Sequence, residues 1–148
     1  MRTLERVRRL TWAQRRLVLE AAAGLVSALL QVRLVPFWRV AAWHGWESGN
    51  AKPSALDDEQ LAVARDVGRL VSAVGRRTPW KSTCLMQSLT VATLLRRRGL
   101  GSVTHLGLAP KEDGYDAHSW TVAGERILVG AAGHRRFTMV ASYRVSPA

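Results

Sequence analysis

The stretch that decides the fold is Pro79-Trp80-Lys81-Ser82-Thr83-Cys84-Leu85, which leads into a helical pattern that ends at Arg98. Cys84 is the only cysteine in the chain of 148 residues, and Ser82 or Thr83 is expected to cap the helix. A helix N-terminus lowers the pKa of a cysteine thiol and favours the reactive thiolate. Cys84 is therefore a candidate nucleophile, and the alternative is a cysteine that packs as a small hydrophobic residue.

A histidine on a later strand is the natural partner for such a thiol. His118 lies in the alternating stretch Ala117–Val122, which predicts a β-strand. A strand holds an imidazole rigidly enough to take the thiol proton. The other three histidines lack the spacing of a metal site, and no phosphate loop or dinucleotide fingerprint is present. We therefore expect no metal and no cofactor.

The order of the predicted elements gives the fold class. Thr11 and Gln14 form a capping box that predicts a helix from about Trp12 to about Val35, and Pro36 ends it and begins a second helix. Ser54 is expected to cap a third helix, which precedes the Cys84 helix. The period changes to two after residue 101 and predicts strands at 103–108, 117–122, 126–129 and 137–141, whereas 47–53 is predicted to be a loop. Helices followed by an antiparallel sheet indicate an α+β fold.

Within that fold we expect two regions. Residues 1–50 form an N-terminal helical region, and residues 51–148 form the core, in which the nucleophile at a helix N-terminus packs on the antiparallel sheet. Because the chain has a length typical of one domain, we expect the two regions to form one compact unit.

The net charge is compatible with several kinds of partner. The net charge is +11, and such a surface attracts nucleic acid, anionic lipid or an acidic peptide. A non-catalytic basic binding or scaffold protein is one alternative function, and it would rest on Arg2, Arg6, Arg8, Arg9, Arg15 and Arg16. We nevertheless expect no nucleic-acid partner.

The first long helix has its own alternatives. The apolar run 17–32 is shorter than the roughly 20 residues of a membrane span and contains Glu20. We interpret it as a core or partner helix. The alternative is shallow peripheral membrane contact through Arg15, Arg16, Arg33 and the tryptophans. One cysteine and no evident secretory signal indicate a cytoplasmic protein.

Four segments taken together resemble one known family, the lasso-peptide leader peptidases. These are small transglutaminase-like cysteine proteases that act on ribosomally made peptide precursors. The segments are Pro79-Trp80 with Cys84-Leu85, Leu94 to Leu100 with its Arg-Arg-Arg-Gly, His105-Leu106-Gly107, and Ala117-His118-Ser119-Trp120-Thr121-Val122 with Gly124. The resemblance covers most of the chain and is tightest over 79–129.

The resemblance implies a papain/transglutaminase-like core and a defined reaction. Cys84 would be the nucleophile and His118 the general base, and the leader would be released through a thioester acyl-enzyme. A separate small leader-binding protein would present the precursor peptide, and an ATP-dependent macrolactam synthetase would act next. An acyl transfer to an amine, as transglutaminases perform it, is the closer alternative.

The chain departs from this family at the third catalytic position. Members carry an aspartate about a dozen residues after the histidine, whereas this chain reads Arg126-Ile127-Leu128-Val129-Gly130 there. Asp116 and Glu125 are weak candidates, because Asp116 points alongside the imidazole and Glu125 lies in a predicted turn. A backbone carbonyl or a polar side chain is the alternative that would orient His118.

Overall fold

The computed structural model describes residues 5–6 and 8–148; Arg2, one of the basic residues singled out above, lies outside them. The predicted α+β order is confirmed. The helices are α1 (Trp12–Leu34), α2 (Phe37–Trp43), α3 (Asp58–Gly75) and α4 (Cys84–Arg97). The strands are β1 (Trp46–Ser48), β2 (Ser102–Lys111), β3 (Gly114–Ala123), β4 (Arg126–Val129) and β5 (Thr138–Val145), with a short 3-10 turn at His134–Arg136.

Local sequence explains where the helices begin and end. Thr11 and Gln14 form the expected capping box at α1, and the Thr83 side chain caps α4. The prediction for α3 is wrong by three residues, because the Asp57 side chain, and not Ser54, accepts from the backbone N–H of Gln60. A carboxylate at this position also interacts favourably with the helix dipole.

The sheet is antiparallel, with strand order β1-β5-β2-β3-β4. The predicted strands are present, and β2, β3 and β5 extend beyond the predicted bounds. The prediction of a loop from 47 is wrong at its start, because Trp46–Ser48 pairs with Tyr143–Val145 as the edge strand β1. Three residues are too few to produce a visible alternation, so only the pairing with β5 reveals this strand.

The helices cover one face of the sheet. Helices α3 and α4 contact the sheet directly, and α1 packs across both of them. A single cluster of buried apolar side chains runs from Leu17 on α1 to Val145 on β5. The division at residue 50 stays a prediction, and the hydrophobic core continues across it.

Candidate active site

Cys84 is the first residue of α4. The Thr83 hydroxyl accepts from the backbone N–H of Met86 at 3.3 Å, and the first N–H groups of a helix have no intrahelical partner. The backbone N–H groups of Cys84 and Leu85 are therefore available to an anion or a polarised carbonyl. The helix is fixed on the sheet one turn later, where the buried Ser88 and Ser119 hydroxyls form a 3.1 Å hydrogen bond.

A cleft of about 240 Å³ opens beside this helix N-terminus. Both Cys84 and His118 line it. The other lining residues are mainly apolar and come from α2, α4 and three strands: Phe37, Leu85, Leu106, Gly107, Leu108, Ala117, Ser119 and Val140. Cys84 and His118 are thus both lining residues of one cleft, although this alone does not place the imidazole beside the thiol.

The His118 ring is oriented by a backbone carbonyl. Its Nε2 lies 2.8 Å from the carbonyl oxygen of Gly130. Because a carbonyl oxygen only accepts, Nε2 carries the hydrogen and Nδ1 is the free acceptor of the neutral ring. The ring also stacks on Phe137, with centroids 4.9 Å apart, and on the buried Trp120 at 6.0 Å. The Gly130 carbonyl thus favours the Nε2–H tautomer of the neutral ring.

The thiol and the imidazole are not in direct contact. Side chains alternate along a strand, so His118 points to the sheet face opposite Ser119, whose hydroxyl meets α4. Within residues 5–6 and 8–148, no hydrogen bond joins the Cys84 thiol to His118. The roles of nucleophile and base stay predictions.

Two glycines shape the surroundings of the imidazole. Gly130 has φ +79°, and a Cβ there would collide with the Ser119 carbonyl oxygen and lie 2.8 Å from the Trp120 Cα. Gly107 pairs with His118 across β2 and β3, and a Cβ there would lie 2.8 Å from Phe137 Cβ and 2.9 Å from the Trp120 ring. Any side chain at these positions would displace the groups that hold His118.

Neither acidic candidate for the third catalytic position bonds to the imidazole. Asp116 instead pairs with Lys111 at 3.3 Å and with Arg136 at 3.4 Å, and Glu125 lies exposed in the β3–β4 turn. The Gly130 carbonyl, twelve positions after His118, occupies the sequence position at which the resemblance leads us to expect an aspartate. Trp80, which precedes Cys84 in the stretch quoted above, packs against the core and does not line the cleft.

The remaining histidines are held in structural contacts. His44 bonds to Gln31 at 2.6 Å and to Thr93 at 3.0 Å, and burial together with the nearby arginine charges lowers its pKa. His105 bonds to Ser142 at 2.7 Å, and burial lowers its pKa. His134 lies in the loop after β4. No group of three or more potential ligands that could hold a metal ion is found in the part of the chain that the structure describes.

Comparison with protein-family models matches residues 28–142 to the transglutaminase-like superfamily. The chain belongs to this superfamily. Searches of curated proteins and of solved structures returned no match. The match begins within α1 and includes Cys84, His118 and the whole of β1 to β4. A transglutaminase-like domain fits a cysteine protease or an acyltransferase, both of which pass through an acyl-enzyme.

Sequence reasoning allowed for a backbone carbonyl beside His118 but did not identify Gly130, and it missed the cleft residues Phe37 and Val140. No residue type marks the Gly130 carbonyl as a hydrogen-bond partner. The absence of an aspartate in 126–130 nevertheless indicated that another group had to orient His118 there. Phe37 and Val140 reach the cleft through tertiary packing alone. Gly107 appears in the family resemblance, but only the register opposite His118 shows why a glycine stands there.

Proposed function

We propose that this protein is a cysteine peptidase that removes the leader from a ribosomally made lasso-peptide precursor in the cytoplasm. The observation that carries the proposal is the shared cleft of Cys84 and His118, in a chain of the transglutaminase-like superfamily. The sequence resemblance around 79–129 supports the finer assignment to leader peptidases.

In the proposed reaction, Nδ1 of His118 takes the proton from the Cys84 thiol. The sulfur attacks the carbonyl carbon of the bond that joins leader to core, and the N–H groups of Cys84 and Leu85 receive the negative oxygen. The imidazolium returns its proton to the departing amine, which is the new N-terminus of the core peptide. Water then hydrolyses the thioester and frees the leader carboxylate.

This sequence requires Nδ1 to come within hydrogen-bonding distance of the sulfur. Catalytic hydrogen bonds are often long or poorly aligned without substrate and tighten in the complex. Because the imidazole faces away from α4 in this structure, we propose that substrate binding also turns the His118 side chain around the edge of β3 toward the Cys84 thiol. The bond between Nε2 and the Gly130 carbonyl supports this role, because it keeps Nδ1 unprotonated in the neutral ring.

Acyl transfer to an amine uses the same first half of the reaction. The two outcomes separate only when the thioester meets water or an amine. The apolar cleft contains no acidic side chain that would hold an amine, so we favour hydrolysis.

The partners follow from the proposed reaction. A separate small leader-binding protein presents the precursor, and an ATP-dependent macrolactam synthetase consumes the freed N-terminus. We expect the leader-binding protein to contact the basic helical half, at Arg8, Arg9, Arg15 and Arg16. Changing all four to Glu should weaken the complex in a pull-down or titration, and unchanged affinity would exclude this surface.

The test is cleavage of the precursor peptide, followed by mass spectrometry, with and without the leader-binding protein. Wild type should release the leader with its partner present. Cys84→Ala should leave the precursor intact, and Cys84→Ser is the closer steric control. Added hydroxylamine should convert some leader into its hydroxamate if a thioester forms.

An intact precursor with folded wild-type protein and partner would contradict the peptidase. The basic scaffold protein would then be the remaining function, and it predicts binding that falls steeply with salt and does not depend on Cys84. A product joined to an added primary amine, in place of the free carboxylate, would identify an acyltransferase.

A further inference from the structure

The solvent face of α1 is apolar. Trp12, Leu19 and Leu34 are 84%, 71% and 76% exposed, and Val26 and Leu30 are exposed on the same side. The spacing of these five residues follows the helical repeat and places them along one stripe. The stripe extends over most of the roughly 34 Å length of the helix.

The opposite face of α1 is also apolar, and it is buried. Leu17, Ala21, Leu25 and Ala28 are buried in the core. A surface helix of a soluble domain normally carries polar side chains opposite its buried stripe. An exposed apolar stripe of this length therefore indicates a surface that is covered by another body.

The charged side chains near the stripe are arginines, apart from one paired glutamate. Glu20 is the only acid between residues 12 and 43, and it is bonded to Arg98 at 2.8 Å and to Arg16 at 3.0 Å. Arg33 and Arg39 are exposed and are not among the arginines that pair with Glu20.

Arginine and tryptophan also meet directly on α1 and on the adjoining helix α2. Arg15 lies over the Trp12 ring at 5.8 Å, and Arg39 lies over the exposed Trp38 ring at 5.0 Å. Tryptophan and arginine side by side are typical of the boundary between lipid headgroups and acyl chains.

We propose that α1 docks flat on an anionic membrane surface, with its exposed stripe in the headgroup region. By length and composition α1 is the one helix, among the described residues, that could cross a membrane. It does not span in this fold, because Leu17 and Leu25 are built into the core and would have to leave it. A second copy of the chain fits less well, because two surfaces of net positive charge repel each other.

The experiment is co-sedimentation of the full chain with vesicles. One set contains phosphatidylcholine alone, and the other contains equal parts of phosphatidylcholine and phosphatidylglycerol. We expect binding to the anionic vesicles that weakens with salt and is much weaker on the neutral ones. The triple variant Leu19→Gln, Leu30→Gln, Leu34→Gln should lower the partition coefficient by about tenfold or more.

Matched controls locate the surface. Val63→Gln removes an exposed apolar side chain from α3 and should leave binding unchanged. Arg33→Gln with Arg39→Gln should lower binding by roughly 30-fold, whereas Arg126→Gln with Arg144→Gln, on β4 and β5, should have much less effect. If the triple variant is unstable, the arginine double variant still tests the proposal. Circular dichroism shows whether each variant is folded.

Three outcomes would overturn the proposal. They are no binding to anionic vesicles, binding that the triple variant and the arginine pair both retain, and equal binding to neutral vesicles. A dimer in sedimentation velocity that the triple variant abolishes, without lipid binding, would assign the stripe to a second copy. Cleavage of the precursor in solution is measured separately, so a failure of either proposal leaves the other intact.

Discussion

Replacing Gly130 with alanine tests the backbone support of His118. Gly130 has φ +79°, and its added Cβ would collide with the Ser119 carbonyl oxygen and lie 2.8 Å from the Trp120 Cα. Both of these are backbone atoms of β3 and cannot rotate away as a side chain would. The Gly130 peptide must therefore move, and the hydrogen bond from His118 Nε2 to its carbonyl moves with it.

The chain offers a matched control for this change. Gly133 has φ +71° and no atom within 4 Å of an added Cβ, so Gly133→Ala carries only the conformational strain of a left-handed alanine, roughly 1–2 kcal/mol. Gly130→Ala carries the same strain and the steric conflict, which adds about 1–3 kcal/mol. We expect Gly130→Ala to lower the free energy of unfolding by the larger amount and to slow precursor cleavage, and Gly133→Ala to leave cleavage nearly unchanged.

Urea unfolding followed by circular dichroism gives the two free energies of unfolding, and single-turnover cleavage gives the second readout. Equal destabilisation by both variants would contradict the close approach at Gly130. Normal cleavage by a folded Gly130→Ala protein would contradict the role of its carbonyl in orienting His118.

Three further changes test the fold and the site. Glu20→Gln should cost roughly 1–2 kcal/mol in urea unfolding, against under about 0.5 kcal/mol for the exposed control Asp66→Asn. Burial raises the pKa of Glu20, but hydrogen bonds and charges from two arginines outweigh it and lower that pKa below 4.5. Ionised Glu20 therefore adds to the free energy of unfolding above pH 4.5, and this addition is lost as the pH falls through the folded-state pKa. The Glu20→Gln variant should not show this decrease. Burial and two arginine charges lower the pKa of His44 below 6.5. The free energy of unfolding should therefore fall as the pH drops below 6.5 in wild type, and fall less in His44→Gln. An equal dependence of this free energy on pH in both proteins would contradict the prediction. Gly107→Ala should push aside the rings around His118, cost about 1–3 kcal/mol and slow cleavage, and an unchanged cleavage rate would show that these rings do not set the position of the imidazole.

The helical half of the fold could be predicted because its signals are local. The capping box at Thr11, the break at Pro36 and the cap at Thr83 each involve residues within one turn of each other. The start of α3 was misplaced because Ser54 and Asp57 are both good capping residues, and the choice depends on where the chain enters the helix. The strand β1 was missed because three residues become a strand only by pairing with β5.

In the candidate site, too, the features with local signals could be predicted and those that depend on tertiary packing could not. Residue type and local pattern identified Cys84 at a helix start and His118 on a strand, and the fold brings both to one cleft. The sequence could not show that His118 faces away from α4, because this depends on the register that places Ser119 against Ser88. The partner of the imidazole is a backbone carbonyl, and every residue carries one, so no residue type marks it.

The sequence also could not show which apolar residues of α1 stay exposed. The apolar run from Leu17 to Val32 predicts a helix that is buried on at least one side. Only the packing against α3 and α4 shows that Leu19 and Leu30 are left outside the core.

The most direct test of the dyad is the single-turnover rate of precursor cleavage by His118→Gln, with His134→Gln as the matched histidine control. His134 lies on the same side of the sheet, 5.7 Å from the Trp120 ring, and is assigned no role in the reaction. Loss of a general base lowers such rates by about 100-fold to 10,000-fold. We predict a loss in this range for folded His118→Gln and a wild-type rate for His134→Gln. A wild-type rate for His118→Gln would contradict the account, because it would mean that the imidazole held against Gly130 takes no part in cleavage.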